Sequence, residues 1–236
     1  MQMRWLRKSY RSASRTNLTA RQFLSIITTV AGFALTAEPV RAQTDLEGIW
    51  LPNIGGAAAQ PPLEEVRLTP AGQAEFDQFN ADSDPSFRCI MPGVPRGLVD
   101  PYPREIIQQG HQIVMLHEYY HQVRRFFMDG REPPDYWPLS LSGYSTGRWE
   151  GETLIVRTTH LSPDNDMWLT GLPFSGDENT YVIERFTRSG DQLTLVAEIY
   201  DPTYYEEIYV MNTSWTFAPN GEIWDFDCNP EFGGVG

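Results

Sequence analysis

Three tight-turn signals, each set between two β-rich runs, constrain this chain more than any other feature. Glu150-Gly151 separates Tyr144–Trp149 from Thr153–Thr159. Ser189-Gly190-Asp191 separates Tyr181–Thr187 from Gln192–Tyr200, and Asn220-Gly221 separates Thr213–Phe217 from Glu222–Asp227. Short links of this kind fold a chain back as a hairpin, and Asn-Gly is the strongest because it suits the left-handed angles of a type I′ turn. The flanking runs alternate as half-buried strands do. Leu193, Leu195, Ala197 and Ile199 share one face, while Thr194, Val196, Glu198 and Tyr200 share the other. Consecutive hairpins give an antiparallel meander. Ile113–Met128 reads as one long, aromatic, extended strand. Thr69-Pro70 reads as the N-cap and first residue of a short helix running to about Asn80. Residues 81–108, rich in Pro, Asp and Gly, read as irregular. About eight strands with one or two short helices predict an all-β fold, a closed or nearly closed antiparallel barrel.

Gly48-Ile49-Trp50 at the first strand is similar to the opening of lipocalin-like barrels, in which the Trp plugs one end, and this makes the expected class lipocalin-like. Charge divides the chain before fold does. Residues 1–42 hold seven of the 18 basic residues and one of the 31 acids, Glu38. The other 194 residues therefore carry 18 − 7 = 11 basic and 31 − 1 = 30 acidic groups, a net of −19. Lys8 is the only lysine. A body without lysine has no Schiff-base chemistry, no P-loop and no Ser–Lys dyad. An acidic body with scattered arginines is also a poor partner for nucleic acid or anionic lipid.

The basic, acid-free start of the chain leads into the apolar run Phe23–Ala37 and then Val40-Arg41-Ala42, with small residues where a signal peptidase needs them. The run is short of the roughly 20 apolar residues of a membrane span, so 1–42 reads as an export signal and 43–236 as a single barrel domain. The mature protein is then periplasmic or secreted and free of the membrane. Its only cysteines, Cys89 and Cys228, are an even pair in an oxidising compartment, which favours a disulfide.

Two catalytic patterns are met in letters. His117-Glu118-Tyr119-Tyr120-His121 satisfies HExxH, which holds zinc when a helix brings both imidazoles to one face. In a strand the same two histidines lie about 13 Å apart, too far for one ion, and Glu118 points the other way. The reading turns on whether this stretch is helix or strand. Gly143-Tyr144-Ser145-Thr146-Gly147 satisfies GxSxG, but a nucleophile elbow needs a helix after the serine and a hairpin follows instead. The glycines then serve turn geometry.

The strings EIIQQ…IVMLHEYYHQVRRFFMDGR, GYSTGRWEGETLIVRTTHL, VIERFTRSGDQLTLVAEIYDPTYY and WDFDCNPE resemble a large family of exported bacterial proteins of unknown function. The resemblance spans nearly all of 45–231. Its most specific parts are Asp129-Gly130-Arg131, the string at 143–154, Glu184-Arg185-Phe186, Asp201-Pro202 and Cys228. Glu118 and Arg124 match its pattern, whereas position 117 is more often tyrosine and no histidine is required at 121. The resemblance implies the barrel and export, with no activity or cofactor attached.

Within a barrel, chemistry belongs to polar residues that interrupt inward faces. Along an extended Ile113–Met128, Glu118, Tyr120 and Arg124 share a parity behind Val114 and Leu116, and converge on a pocket with His121 nearby. Glu184 sits on the apolar face of Val182 and Phe186 and needs a buried partner, with Arg148 and Arg124 as candidates. His160 and Trp168 are placed to line a cavity mouth. An Arg–Glu pair satisfying itself is the plain alternative. The leading reading is a cofactor-free, metal-free acid/base enzyme of lyase or decarboxylase type acting on an aromatic or phenolic acid, by analogy with phenolic acid decarboxylase barrels. A non-catalytic ligand binder and a zinc hydrolase using His117 and His121 are the alternatives.

Overall fold

A computed structural model of the chain describes residues 43–53, 61–167 and 170–229. The expected export signal and Trp168 lie outside them. The described chain is all-β: nine strands close into a barrel in sequence order. They are β1 (Gly48–Pro52), β2 (Arg104–Gln109), β3 (Gln112–His117), β4 (Val123–Phe127), β5 (Tyr144–Glu150), β6 (Thr153–Thr159), β7 (Tyr181–Ser189), β8 (Gln192–Tyr200) and β9 (Tyr209–Phe217). β9 returns to pair with β1, Trp50 facing Phe217, and this closes the ring. One α-helix, α1 (Pro70–Phe76), starts as the sequence indicates. The Thr69 hydroxyl accepts the Gly72 N–H and Pro70 takes the first helical position.

Three sequence expectations about strands need correction. Ile113–Met128 is not one strand: Tyr119–His121 forms a 3₁₀ turn between β3 and β4, with left-handed φ of 55° at Tyr120 and 51° at His121. The irregular reading of 81–108 missed β2. The Asn220-Gly221 hairpin does not form, and residues 221–229 run as an extended strap without ladder partners. Its physical reason is closure. Both edges of β9 are already taken, by β8 and by β1, so no edge remains for a tenth strand. Gly221 instead donates its N–H to the Ala218 carbonyl in a simple turn.

The barrel is mixed rather than wholly antiparallel, because β4 and β5 pair in parallel through Phe126–Ser145 and Phe127–Thr146 alone. A parallel pair needs a crossover that carries the chain back to its starting end. Residues 128–143, with Pro133, Pro134 and Pro138, do this. The pairing is so short that Val123–Arg125 have no ladder partner on that side, which opens a seam in the wall.

Alternation fills the interior. Burial along β8 falls on Leu193, Leu195, Ala197 and Ile199, as the sequence predicts. Trp50 is fully buried, tilted against Phe217, with its indole N–H donated to the Leu46 carbonyl and the Arg188 guanidinium 5.1 Å above its ring. A buried segment, Pro92–Leu98, packs against the core, and Cys89 just before it is bonded to Cys228 of the strap. The expected disulfide is thus present. Among the described residues no helix is long and apolar enough to cross a membrane.

Candidate functional site

The inward faces of β2, β3, β4 and β7 carry charged or polar side chains where alternation calls for apolar ones. Arg124 on β4 and Glu184 on β7 meet fork to fork, with Nη1–Oε2 at 2.7 Å and Nη2–Oε1 at 2.6 Å. Their side chains are 1% and 0% exposed. Thr158 Oγ1 donates to Glu184 at 3.1 Å, and Ser145 Oγ lies 2.9 Å from Thr158 Oγ1. Of the two partners considered for Glu184, Arg124 is the one in place. Arg148 lies outside, paired with Glu150 on the exposed end of β5.

Beside this pair lies a second one. Arg104 on β2 stands opposite His117 on β3, and Asp100 reaches both: Oδ2 is 3.2 Å from Arg104 Nη2 and 3.3 Å from His117 Nδ1. Arg104 Nη2 also donates to the Gly97 and Leu98 carbonyls, and its guanidinium lies 4.3 Å from the Trp215 ring centroid. Burial, reinforced by the Arg104 charge, lowers the His117 pKa to about 4, so the imidazole is neutral. Burial pushes the Asp100 carboxyl up, but Arg104 and the His117 hydrogen bond outweigh it and leave it below its ordinary value. The two pairs balance two guanidiniums against two carboxylates, as buried charge requires.

Glu118, Tyr120 and His121 do not join this layer. The 3₁₀ turn breaks the parity on which their convergence depended. Inward residues are Ile113, Met115 and His117 on β3, then Arg124 and Phe126 on β4, and Val114 and Leu116 lie on the other face. Glu118 accepts the Trp224 N–H at 3.0 Å, and His121 Nε2 accepts the Phe226 N–H at 2.6 Å. The Tyr120 hydroxyl donates to the Ser86 carbonyl at 2.6 Å. The Phe226 ring contacts Tyr102, Tyr119 and Tyr120 at 5.0 to 5.4 Å. These residues bind the strap to the barrel. The HExxH histidines are likewise separated: His117 is sealed inside against Asp100, and exposed His121 holds the strap. Neither helix nor continuous strand places them, and the zinc arrangement is not formed. Ser145 of GxSxG is the second residue of β5, which runs on into a hairpin, and its hydroxyl lies against that of Thr158. Gly143 of that motif does serve backbone geometry, with φ of 65°.

The seam between β4 and β5 opens a cleft of about 300 Å³. Arg124 and Arg125 line it together with Ser142, Phe127, Trp137 and Tyr144. Tyr144 stacks on Phe127 at 4.9 Å and meets Trp137 edge-on at 4.8 Å. On its other side Tyr144 lines a neighbouring cavity of about 350 Å³, which His160 also lines.

Arginine bookkeeping marks the cleft out. Arg67, Arg96, Arg104, Arg124, Arg131, Arg148 and Arg185 are each within an ion pair. Arg157 and Arg188 lie over the Tyr181 and Trp50 rings. Only the Arg88 and Arg125 guanidiniums have neither kind of partner among the described residues, and of the two only Arg125 lines one of these cavities. Sequence reasoning missed Arg125 and Trp137. Arg125 was masked by its neighbour Arg124, which has the inward parity; Trp137 sits in a crossover with no periodicity to read. Arg104 and Asp100 were missed because β2 was, although Arg104 and Ile106 alternate with Glu105 and Ile107 as an inward pair should.

A comparison with protein-family models and with curated proteins finds no match for this sequence.

Proposed function

We propose that this chain is an exported bacterial protein, periplasmic or secreted, of the family whose sequence strings it resembles, and that it binds a small aromatic or phenolic acid in the β4–β5 seam. Arg125, whose guanidinium has no partner among the described residues and which lines the cleft together with three aromatic residues, is the observation that carries this reading. A carboxylate gains two parallel charge-assisted hydrogen bonds from a guanidinium, and a planar ring gains stacking area from Phe127, Trp137 and Tyr144. A cleft of about 300 Å³ suits a single-ring acid. The Cys89–Cys228 disulfide supports an oxidising compartment.

Binding without turnover is favoured over the lyase reading. That mechanism needs Glu118, Tyr120 and Arg124 at one substrate, and the first two are engaged with the strap and Ser86 while the third is engaged with Glu184. Titration calorimetry with 4-hydroxybenzoate and 4-hydroxycinnamate tests the proposal, with phenol and cyclohexanecarboxylate separating ring from charge. Arg125→Gln is expected to weaken the acids by about tenfold or more, the value of one charge-assisted pair, at an unchanged melting temperature. Equal affinity for phenol and for the acids, or an Arg125→Gln protein that binds as the parent does, would overturn it. Decay of 4-hydroxycinnamate absorbance in the presence of the protein would restore the lyase reading.

A further inference from the structure

We propose that a separate cavity on the outer face of the barrel, where β7 and β8 meet the loop into β9, binds an organic cation of the quaternary-ammonium class. The cavity has a volume of about 500 Å³ and shares no residue with the β4–β5 seam, so the two proposals stand or fall independently. Its wall is built by strand pairing. Tyr181 begins β7 and Tyr200 ends β8, and the two are direct cross-strand partners. Val182 and Ile199 beside them point into the core, which turns both tyrosines outward. Their rings stack at 4.5 Å with 13° between planes.

The chain already uses this stack to hold a cation. The Arg157 guanidinium, on the outer face of β6, lies 4.4 Å from the Tyr181 ring centroid. Arg157 does not line the cavity, and no other basic side chain does. Instead the lining includes three carboxylates, Asp201, Glu206 and Glu207. Asp201 is buried, its oxygens taken by the Ser175 N–H and hydroxyl, and it acts through charge. Among the described residues Glu207 makes only a long, exposed contact to Arg67 at 3.7 Å. The Glu206 carboxylate has no partner among the described residues. A third ring, Tyr205, is fixed by its hydroxyl bond to the Pro173 carbonyl, and Pro202 and Ile208 complete an apolar wall.

Aromatic faces, acids and apolar groups together select for a particular ligand. A neutral apolar molecule would leave the carboxylates uncompensated, and an anion would be repelled by them. A compact primary ammonium keeps its water and gains little from Pro202 and Ile208. A bulky, weakly hydrated ammonium satisfies the rings and the acids at once. The acidic body, with 30 acids to 11 arginines, adds long-range attraction for such a cation.

Choline and its neutral isostere 3,3-dimethylbutan-1-ol are the probes, followed by saturation-transfer NMR on their methyl protons and by calorimetry on the full chain. Choline is expected to bind at least about tenfold more tightly than the isostere, the range of a partly desolvated cation–π contact. Tyr200→Leu should lower choline affinity by a similar factor. Glu206→Gln, an exposed loop change that leaves the strands untouched, should lower it by about threefold to fivefold even if Tyr200→Leu proves unstable. The proposal is overturned if choline does not bind, if the isostere binds as well, or if binding is abolished by 0.5 M salt while indifferent to both variants. The last result would mark diffuse surface charge in place of a site.

Discussion

Breaking the Arg124–Glu184 pair is the sharpest test of the barrel interior. Glu184→Gln keeps shape and removes one of the two carboxylates that face Arg104 and Arg124, leaving both guanidiniums with Asp100 alone. Both partners of the pair are essentially unexposed, and among the described residues Ser145 and Thr158 are the only hydroxyls bonded to them. An uncompensated charge in such a place costs about 3–5 kcal/mol, a large part of the 5–15 kcal/mol that holds an ordinary domain together. With a urea slope near 2 kcal/mol per molar, the unfolding midpoint falls by about 1.5–2.5 M. Arg124→Met is expected to cost a similar amount. The double variant Arg124→Met/Glu184→Met should recover most of the loss, because replacing both ions with apolar groups removes the desolvation cost as well. Equilibrium urea unfolding by circular dichroism at pH 7.5, disulfide intact, gives all three values and hence the coupling energy. If Glu184→Gln costs less than about 1 kcal/mol at unchanged slope, the pair behaves as an exposed one and the interior is not sealed.

The pH dependence of stability follows from His117. Its folded pKa of about 4 lies below its ordinary value of 6.5, so the unfolded chain takes up the proton first and stability falls as pH drops from about 6.5 to 4, by up to about 1.4 kcal/mol per unit. His117→Gln should flatten this slope, and an unchanged slope would assign it to other groups. Opening the disulfide in Cys89→Ser/Cys228→Ser frees a loop of 139 residues and is expected to cost about 4–5 kcal/mol in the chain-entropy model. Hydrogen exchange at the Trp224 and Phe226 amides should accelerate in the same protein, and unchanged protection would mean that Glu118 and His121 hold the strap unaided. Gly143→Ala forces a left-handed φ on a residue whose new Cβ would lie 2.4 Å from the Thr159 carbonyl, a loss of about 1–3 kcal/mol. The Cβ of Gly147→Ala would crowd the flexible Met128 side chain and meet Leu154 only at an ordinary contact distance of 3.5 Å, so it should cost less, which a paired thermal melt will show.

The strand pattern was legible because alternation and turn chemistry are local. Two of the three turn signals, Glu150-Gly151 and Ser189-Gly190-Asp191, mark hairpins, and β8 buries the four residues its pattern assigns. The third failed for a non-local reason: whether Asn220-Gly221 makes a hairpin depends on whether β9 has a free edge, and closure against β1, more than 160 residues away, removes it. The Tyr119–His121 turn was illegible in a different way. Nothing in His-Glu-Tyr-Tyr-His offers glycine for a left-handed bend, and Tyr120 and His121 adopt one because tertiary contacts hold them there. These are the Tyr120–Ser86 hydrogen bond, the Tyr102–Tyr119 stack and the strap hydrogen bond to His121. Missing that bend carried a single parity through both strands. Arg124 does face inward, but on β3 the inward residues are Ile113, Met115 and His117 in place of Val114 and Leu116. Glu118 and Tyr120 fall at the turn and off the inward face, which is why one misread turn dispersed the candidate site.

Charge gave more than periodicity did, though not where the motifs pointed. A body with 11 arginines and no lysine has few ways to hold an anion, and the natural suspects were Arg124, Arg131, Arg148 and Arg185, which fall within the most specific strings. Each of the four has a carboxylate partner close by: Glu184, Asp129, Glu150 and Glu198. A paired guanidinium must give up its partner to take a ligand, and for buried Arg124 that loss is about 3–5 kcal/mol. Arg125 gives up nothing. It sits one residue along, where strand alternation turns it away from Glu184, and where the two-residue parallel pairing leaves the wall open. The same break in the ladder that interrupts the barrel's antiparallel order therefore supplies both the cleft and the only uncommitted cation in it among the described residues, and a ligand acid would bind there without disturbing the interior that holds the barrel together.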